Sequence, residues 1–195
     1  MIRPSPFTLA AVAAWCALLV AWIPGYLAAA GPPRASPQVV PRALQFAATA
    51  LLFAGFVLLF GRALPGHGVR VTPPDAPLGA LGAALALAGI AFAIWARRVL
   101  GRNWSGLVMG VRDGHELVQT GPYAIVRHPI YTGLALAMLG TALTIGTLFA
   151  WLGVAAGLCG ILLRVAIEER LMAAEFGAAH AAYRQRTRKL VPFVW

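Results

Sequence analysis

The sequence predicts an all-α polytopic integral membrane protein with about five transmembrane helices. Three observations carry this. Of 195 residues, 60% are hydrophobic and only 11% charged, with a mean hydropathy of +0.77, outside the usual composition of a soluble domain. Apolar stretches long enough to cross a hydrocarbon core of about 30 Å recur along the chain, each needing about 17–25 residues as a helix. The polar sequence left over is too sparse to coat a water-soluble fold.

Taken in order, the first stretch covers residues 7–30. It ends in Ala28-Ala29-Ala30, which imitates a secretory cleavage site. A signal h-region, however, holds roughly 7–15 apolar residues, so some two dozen after a single Arg3 read as a retained span. The second stretch is 43–60 and the third 78–96. An apolar block at 130–163 is too long for one span, and its small-residue break at Gly146-Thr147 divides it into two helices in a tight hairpin. Pro/Gly-rich loops at 31–41 and 61–77 complete an N-terminal part, 1–77, that reads as scaffold. Residues 78–195 hold the remaining three spans, a polar connection at 97–129, longer than a bare turn requires, and a polar C-terminal helix.

The formal net charge of +10 raises nucleic acid as a partner, but the basic residues are placed as topology signals, so none is expected. With five spans and a cytoplasmic C-terminus, only Arg3, Arg62 and Arg70 of the sixteen Lys and Arg residues fall outside. The bias puts the N-terminus outside, and the Ala/Gly/Arg-rich composition suits a bacterial inner membrane. The inside cations attract anionic lipid at about 1 kcal/mol each. Cys16 and Cys159 lie within spans, as neither disulfide nor metal ligand.

Two constellations can carry chemistry. The first, Gly121-Pro122-Tyr123-Ala124-Ile125-Val126-Arg127-His128-Pro129-Ile130-Tyr131-Thr132-Gly133, stands directly before the fourth span. Gly121-Pro122 signals a turn, and Pro129 suits a first helical turn. His128 then falls at a helix entrance, whose free backbone donors favour an electron-rich partner. Arg127 and His128 can also be interfacial anchors beside an aromatic belt of Tyr123 and Tyr131, a reading as good as the other for Arg127 alone but weaker for the whole cluster, since a belt has no need of Gly, Pro, Arg and His in fixed order. No HxxxH or CxxC spacing supports a metal site. The second constellation is Arg164-Val165-Ala166-Ile167-Glu168-Glu169-Arg170. Arg164 and Glu168, four residues apart, share one helix face. They are either an ordinary ion pair worth a few tenths of a kcal/mol or, directly after a span, the lining of a polar cavity for a zwitterionic ligand. Farther on, Gly177 ends or bends the helix, and the basic run Arg184-Gln185-Arg186-Thr187-Arg188-Lys189 reads as a clamp on anionic lipid.

Together with Gly101-Arg102-Asn103-Trp104-Ser105, His115-Glu116-Leu117-Val118, Glu168-Glu169 and Phe176-Gly177, these residues resemble the isoprenylcysteine carboxyl methyltransferases and their bacterial relatives, within the wider group that includes phospholipid methyltransferases. The resemblance covers about residues 100–192. It implies a methyltransferase using S-adenosylmethionine, with S-adenosylhomocysteine as product and a lipophilic or prenylated acceptor. It assigns His115, Glu116, Leu117, Val118, Tyr123, His128, Pro129, Ile130, Tyr131 and Glu168 to the cofactor pocket, Arg164 to the methyl acceptor, and catalysis to Arg164 and His128. Two departures stand out: Leu107-Val108-Met109-Gly110 occupies the stretch where some members contact the cofactor through a Gln, and His180 stands where many have Tyr, so His180 receives no role.

Methyl transfer from a sulfonium is an in-line displacement, so the enzyme chiefly binds, aligns and desolvates two reactants. A carboxylate acceptor needs no strong base, and Arg164 can hold one through two hydrogen bonds. Two readings compete. One is an NADPH-dependent reductase of sterol-reductase type, with Arg97, Arg98 and Arg102 on the 2'-phosphate; the other is a non-enzymatic membrane subunit, which the Ala, Leu and Gly of the span centres disfavour. The acceptor stays open among a carboxylate, an amine and a thiol, and the sequence carries no sign of oligomeric state.

Overall fold

The structure is a computed structural model that describes residues 5–28, 40–61, 69–73, 75–104, 114–192 and 194. Arg3, Arg34, Arg62, Arg112, Ser105, residues 107–110 and most of both Pro/Gly-rich loops lie outside the described residues.

Five helices follow one another: α1 (Pro6–Ala28), α2 (Arg42–Gly61), α3 (Ala76–Leu100), α4 (Pro129–Ile145) and α5 (Leu148–Arg186). Four are long and apolar enough to cross a membrane, while α4, at 17 residues, is shorter. Its limits are local. Pro129 occupies its first turn, and Gly146 stops it in the left-handed region (φ 72°, ψ 9°) with its N–H on the Ala142 carbonyl at 2.7 Å. Thr147 then caps α5, its Oγ1 accepting from the Ala150 N–H at 3.3 Å. The expected break therefore falls at Gly146-Thr147. Asp75 caps α3 in the same way, its carboxylate accepting from the Leu78 N–H at 2.7 Å.

Packing pairs α3 with α4, α2 with α5, and α1 with α3. Lipid gives apolar helices little reason to associate by hydrophobicity alone, so close backbone contact through small residues must do it. A Cβ on Gly89 would meet the Gly133 carbonyl at 2.5 Å, and one on Gly82 the Gly140 carbonyl at 2.6 Å. These two pairs, seven residues apart on each helix, form the α3–α4 seam. Gly55 meets Gly157 in the same manner on the α2–α5 seam, where an added Cβ would lie 2.6 Å from the Gly157 Cα. Two polar pairs cross the bundle: the Trp15 indole N–H donates to Thr141 Oγ1 at 2.9 Å, and Thr8 Oγ1 to the Thr144 carbonyl at 3.2 Å.

Helix α5 carries both the last expected span and the expected C-terminal helix, which a kink at Gly177 separates. It continues past its apolar half through Arg164, Glu168 and Glu169, and breaks only at Gly177 (φ 47°, ψ −116°), a conformation that a side chain disfavours. After Arg186 the chain runs alongside residues 125–128. The Arg127 and His128 N–H groups donate to the Arg188 and Lys189 carbonyls at 2.8 and 3.1 Å, and Thr132 Oγ1 donates to the Leu190 carbonyl at 2.7 Å.

Candidate active site

The ends of α1 and α3, the turn at residues 121–124, the start of α4 and the polar half of α5 surround one cavity of about 340 Å³. His115, Glu116, Leu117, Val118, Tyr123, His128, Ile130, Tyr131 and Glu168 line it, and so does Arg164. Pro129 is fully buried and does not reach the cavity. Each group arrives by a local device. The 3-10 turn at Gly121–Ala124 buries Tyr123, and its carbonyl accepts from the Tyr183 hydroxyl at 2.6 Å. Asn103, in the turn that ends α3, holds the following segment by accepting the Glu116 N–H at 2.9 Å. Arg102 reaches the Glu116 carboxylate at 2.7 Å on the surface.

At the centre, His128 lies between two carboxylates. Nδ1 is 3.3 Å from Glu168 Oε2 and Nε2 is 2.9 Å from Glu169 Oε1. Burial pulls the imidazole toward its neutral form, but the hydrogen bonds and charges of Glu168 and Glu169 outweigh it and raise the pKa above its ordinary 6.5. Burial, followed by the charge of Glu168, pushes the Tyr123 hydroxyl far up, so it stays protonated. The Arg164 guanidinium is buried; its Nε donates to the Tyr131 hydroxyl at 2.9 Å and its Nη1 to Thr49 Oγ1 at 3.0 Å. The Tyr131 hydroxyl in turn donates to Glu168 Oε1. Arg164 and Glu168 thus share a helix face and are joined through Tyr131.

Arg127 is no interfacial anchor. Its side chain is 6% exposed and forks onto Glu169, with Nε at 2.7 Å from Oε1 and Nη2 at 3.3 Å from Oε2. A third donor reaches the Thr187 carbonyl at 2.7 Å. His180, given no role from sequence, is buried and lines the same cavity, with Nε2 4.0 Å from Glu169. The N-terminal helices also contribute: Leu19 and Trp22 of α1 and Leu52 of α2 line the cavity's apolar side, and Thr49 of α2 holds Arg164. Nothing in the local sequence of α1 or α2 marked these residues, because ordinary bundle helices carry the same types. Trp104 lies beside Trp22, the rings tilted with centres 5.5 Å apart, and beneath Arg97, whose guanidinium carbon is 4.2 Å from the ring centre.

The phospholipid methyltransferase family model matches residues 78–179. A cobalt-zinc-cadmium resistance protein of Cupriavidus metallidurans is 33% identical over 140 residues, covering 69% of this chain and 56% of that protein. Methanethiol S-methyltransferase 2 of Bradyrhizobium diazoefficiens is 45% identical over 71 residues, 36% of this chain and 26% of its own. The protein-S-isoprenylcysteine O-methyltransferase of Schizosaccharomyces pombe is 31% identical over 101 residues, 48% and 41% respectively. The chain therefore spans between about a quarter and just over half the length of these relatives. The solved structure of a eukaryotic intramembrane Ras methyltransferase, an isoprenylcysteine carboxyl methyltransferase, superposes with a TM-score of 0.53 at 24% identity, over 80% of this chain and 55% of that one, which is a likeness of fold. With a family match over more than half its residues, the chain belongs to the phospholipid methyltransferase family and has a fold of the isoprenylcysteine carboxyl methyltransferase type.

Proposed function

We propose that this protein transfers a methyl group from S-adenosylmethionine to a lipophilic, membrane-borne acceptor, with the carboxylate of an isoprenylated cysteine or a similar isoprenoid as first choice. The observation that supports it is the mixed lining of one cavity: the ionisable Glu168, His128 and Arg164 share a single volume with the apolar Leu19, Trp22, Leu52 and Leu134.

The residues suit the cofactor. A volume of about 340 Å³ falls within the roughly 300–1,000 Å³ of small-molecule sites. The Glu168 carboxylate, partly exposed to the cavity, matches the ammonium of a methionine moiety. Aromatic faces at Tyr123 and Tyr131 favour a cation by about 0.5–2 kcal/mol. When bound, S-adenosylmethionine supplies a methyl group on a positively charged sulfur and leaves as S-adenosylhomocysteine. His115, Glu116, Leu117, Val118, Tyr123, His128, Ile130, Tyr131 and Glu168 line the one cavity and would hold the cofactor there, while Pro129, fully buried, would act only by starting α4. Arg164, fixed by Tyr131 and Thr49, offers a planar fork suited to a carboxylate, aligning it while the apolar wall excludes water. No general base is assigned, since a carboxylate is already the nucleophile. The reductase alternative is disfavoured because Arg97 stacks on Trp104 and donates to the Gly101 carbonyl, and Arg102 pairs with Glu116. Among the described residues, Arg127 and Arg164 line the cavity while Arg70 lies beside Thr147 at the other end of α4, which supports an inner-membrane orientation with the site cytoplasmic and the N-terminus outside.

Calorimetric titration of the detergent-purified protein with S-adenosylmethionine and, separately, NADPH tests the cofactor, repeated with His128→Ala. Selective S-adenosylmethionine binding lost in the variant is expected, followed by label transfer to an N-acetyl-S-prenylcysteine. NADPH binding alone would turn the reading to a reductase, and binding of neither to a non-enzymatic subunit.

A further inference from the structure

The charged side chains of the candidate site largely satisfy one another. His128 spans Glu168 and Glu169, Arg127 forks onto Glu169, and Arg164 meets Tyr131 and Thr49. His180 differs. It lines the same cavity and is only 2% exposed, yet its imidazole makes no hydrogen bond among the described residues. The Glu169 carboxylate, 4.0 Å from Nε2, stands beyond hydrogen-bond range and already accepts from Arg127 and His128.

The Tyr123 hydroxyl shares this condition. Tyr123 is buried and lines the cavity, and its hydroxyl makes no hydrogen bond among the described residues. Its backbone carbonyl is the group that the Tyr183 hydroxyl reaches at 2.6 Å. Tyr183 follows His180 by about one helical turn on α5, so one side chain links the segments that carry the two unused groups. A buried donor or acceptor without a partner is unfavourable. Both groups belong to the lining of one cavity, so the partner within reach is a molecule inside it.

The chemistry of the pair selects the group it meets. A neutral imidazole offers one donor and one acceptor, and a protonated phenol offers both as well. A vicinal diol has the same two capacities on adjacent oxygens, whereas an ammonium or a carboxylate is better met by Glu168 or Arg164. We infer that His180, with the Tyr123 hydroxyl, binds the ribose diol of the cofactor's nucleoside; this rests on the proposed use of S-adenosylmethionine. His180 is then a binding residue for the nucleoside end of the cofactor, as Glu168 is for its methionine end.

Calorimetric titration of the full chain in detergent with S-adenosylhomocysteine and with its 2′,3′-dideoxy analogue tests this. The wild type should bind the analogue about tenfold more weakly, a comparison that needs no variant to fold. His180→Phe should lose a similar factor toward S-adenosylhomocysteine and no longer distinguish the two ligands. His180→Gln, which keeps a donor and an acceptor, should retain the preference. Because the imidazole has no partner in the ligand-free protein, His180→Phe should melt no lower than the wild type, which a merely structural role would reverse. Equal affinity of the wild type for both ligands, or equal losses toward both in His180→Phe, overturns the assignment and leaves the cofactor in place. Binding of neither ligand by the wild type overturns the proposed activity, and this subsite with it.

Discussion

Arg127 and Glu169, 42 residues apart in sequence, form a forked ion pair at 2.7 and 3.3 Å with both side chains nearly buried. Glu169 also accepts from His128, and Arg127 from the other side reaches the Thr187 carbonyl. One pair therefore ties the turn before α4, the polar half of α5 and the C-terminal stretch together.

Removing one partner of such a pair strands a buried charge, which costs about 3–5 kcal/mol. Arg127→Ala and Glu169→Gln should each lower the unfolding midpoint in detergent by that measure, and Arg127→Lys should not restore it, because a lysine cannot fork. Wild-type stability in any of the three would remove this pair from the account.

The raised pKa of His128 gives a pH dependence of definite sign. Its charged form is favoured in the folded protein, so its contribution is complete below the unfolded value of 6.5 and declines as pH rises through the higher folded value. Thermal stability should therefore fall on the alkaline side of pH 6.5 more steeply in the wild type than in His128→Gln. Parallel pH profiles would contradict the charged imidazole.

Under the proposed function, Arg164 and Glu168 divide the labour. Glu168→Gln should weaken S-adenosylmethionine binding by about tenfold or more, the worth of a hydrogen bond to a charged group. Arg164→Ala should depress turnover while cofactor affinity changes by no more than about threefold. Calorimetry beside a labelled-methyl assay separates the two, and an equal loss of affinity in both variants would refute the division.

The glycine seams give a prediction independent of function. A Cβ at Gly133 meets backbone atoms of Gly89 and Ala93 at 2.5 and 2.8 Å, so α3 and α4 must separate. Gly133→Ala should destabilise the protein by about 1–3 kcal/mol. Gly61→Ala, whose Cβ meets only Val57 Cγ1 at 3.7 Å, serves as the neutral control in the same melting assay.

The helices and their limits were legible because they depend on local signals. Apolar runs of spanning length, Pro129 at a helix start and Gly146 at a helix end act within a few residues of where they stand, and all appear where expected. The reading of Gly177 as an end or bend was also local, and the structure breaks α5 there. Arg127 was ambiguous for the opposite reason: an arginine near a membrane surface serves equally as an anchor or a buried partner, and its neighbours in sequence do not distinguish the two.

By itself, the sequence determined that this is a helical membrane chain, where most of its helices start, and that its ionisable residues gather in the two stretches that hold His128 and Arg164. Only the tertiary structure decided that Leu19, Trp22 and Leu52 of the plain N-terminal helices line the cavity, that Thr49 holds Arg164, that Arg127 is buried on Glu169, and that His180 lines the same cavity. Helix periodicity and caps are encoded within a turn or two. Which faces meet across the bundle is set by glycine contacts and hydrogen bonds between residues 33 to 136 positions apart, and no local pattern records those.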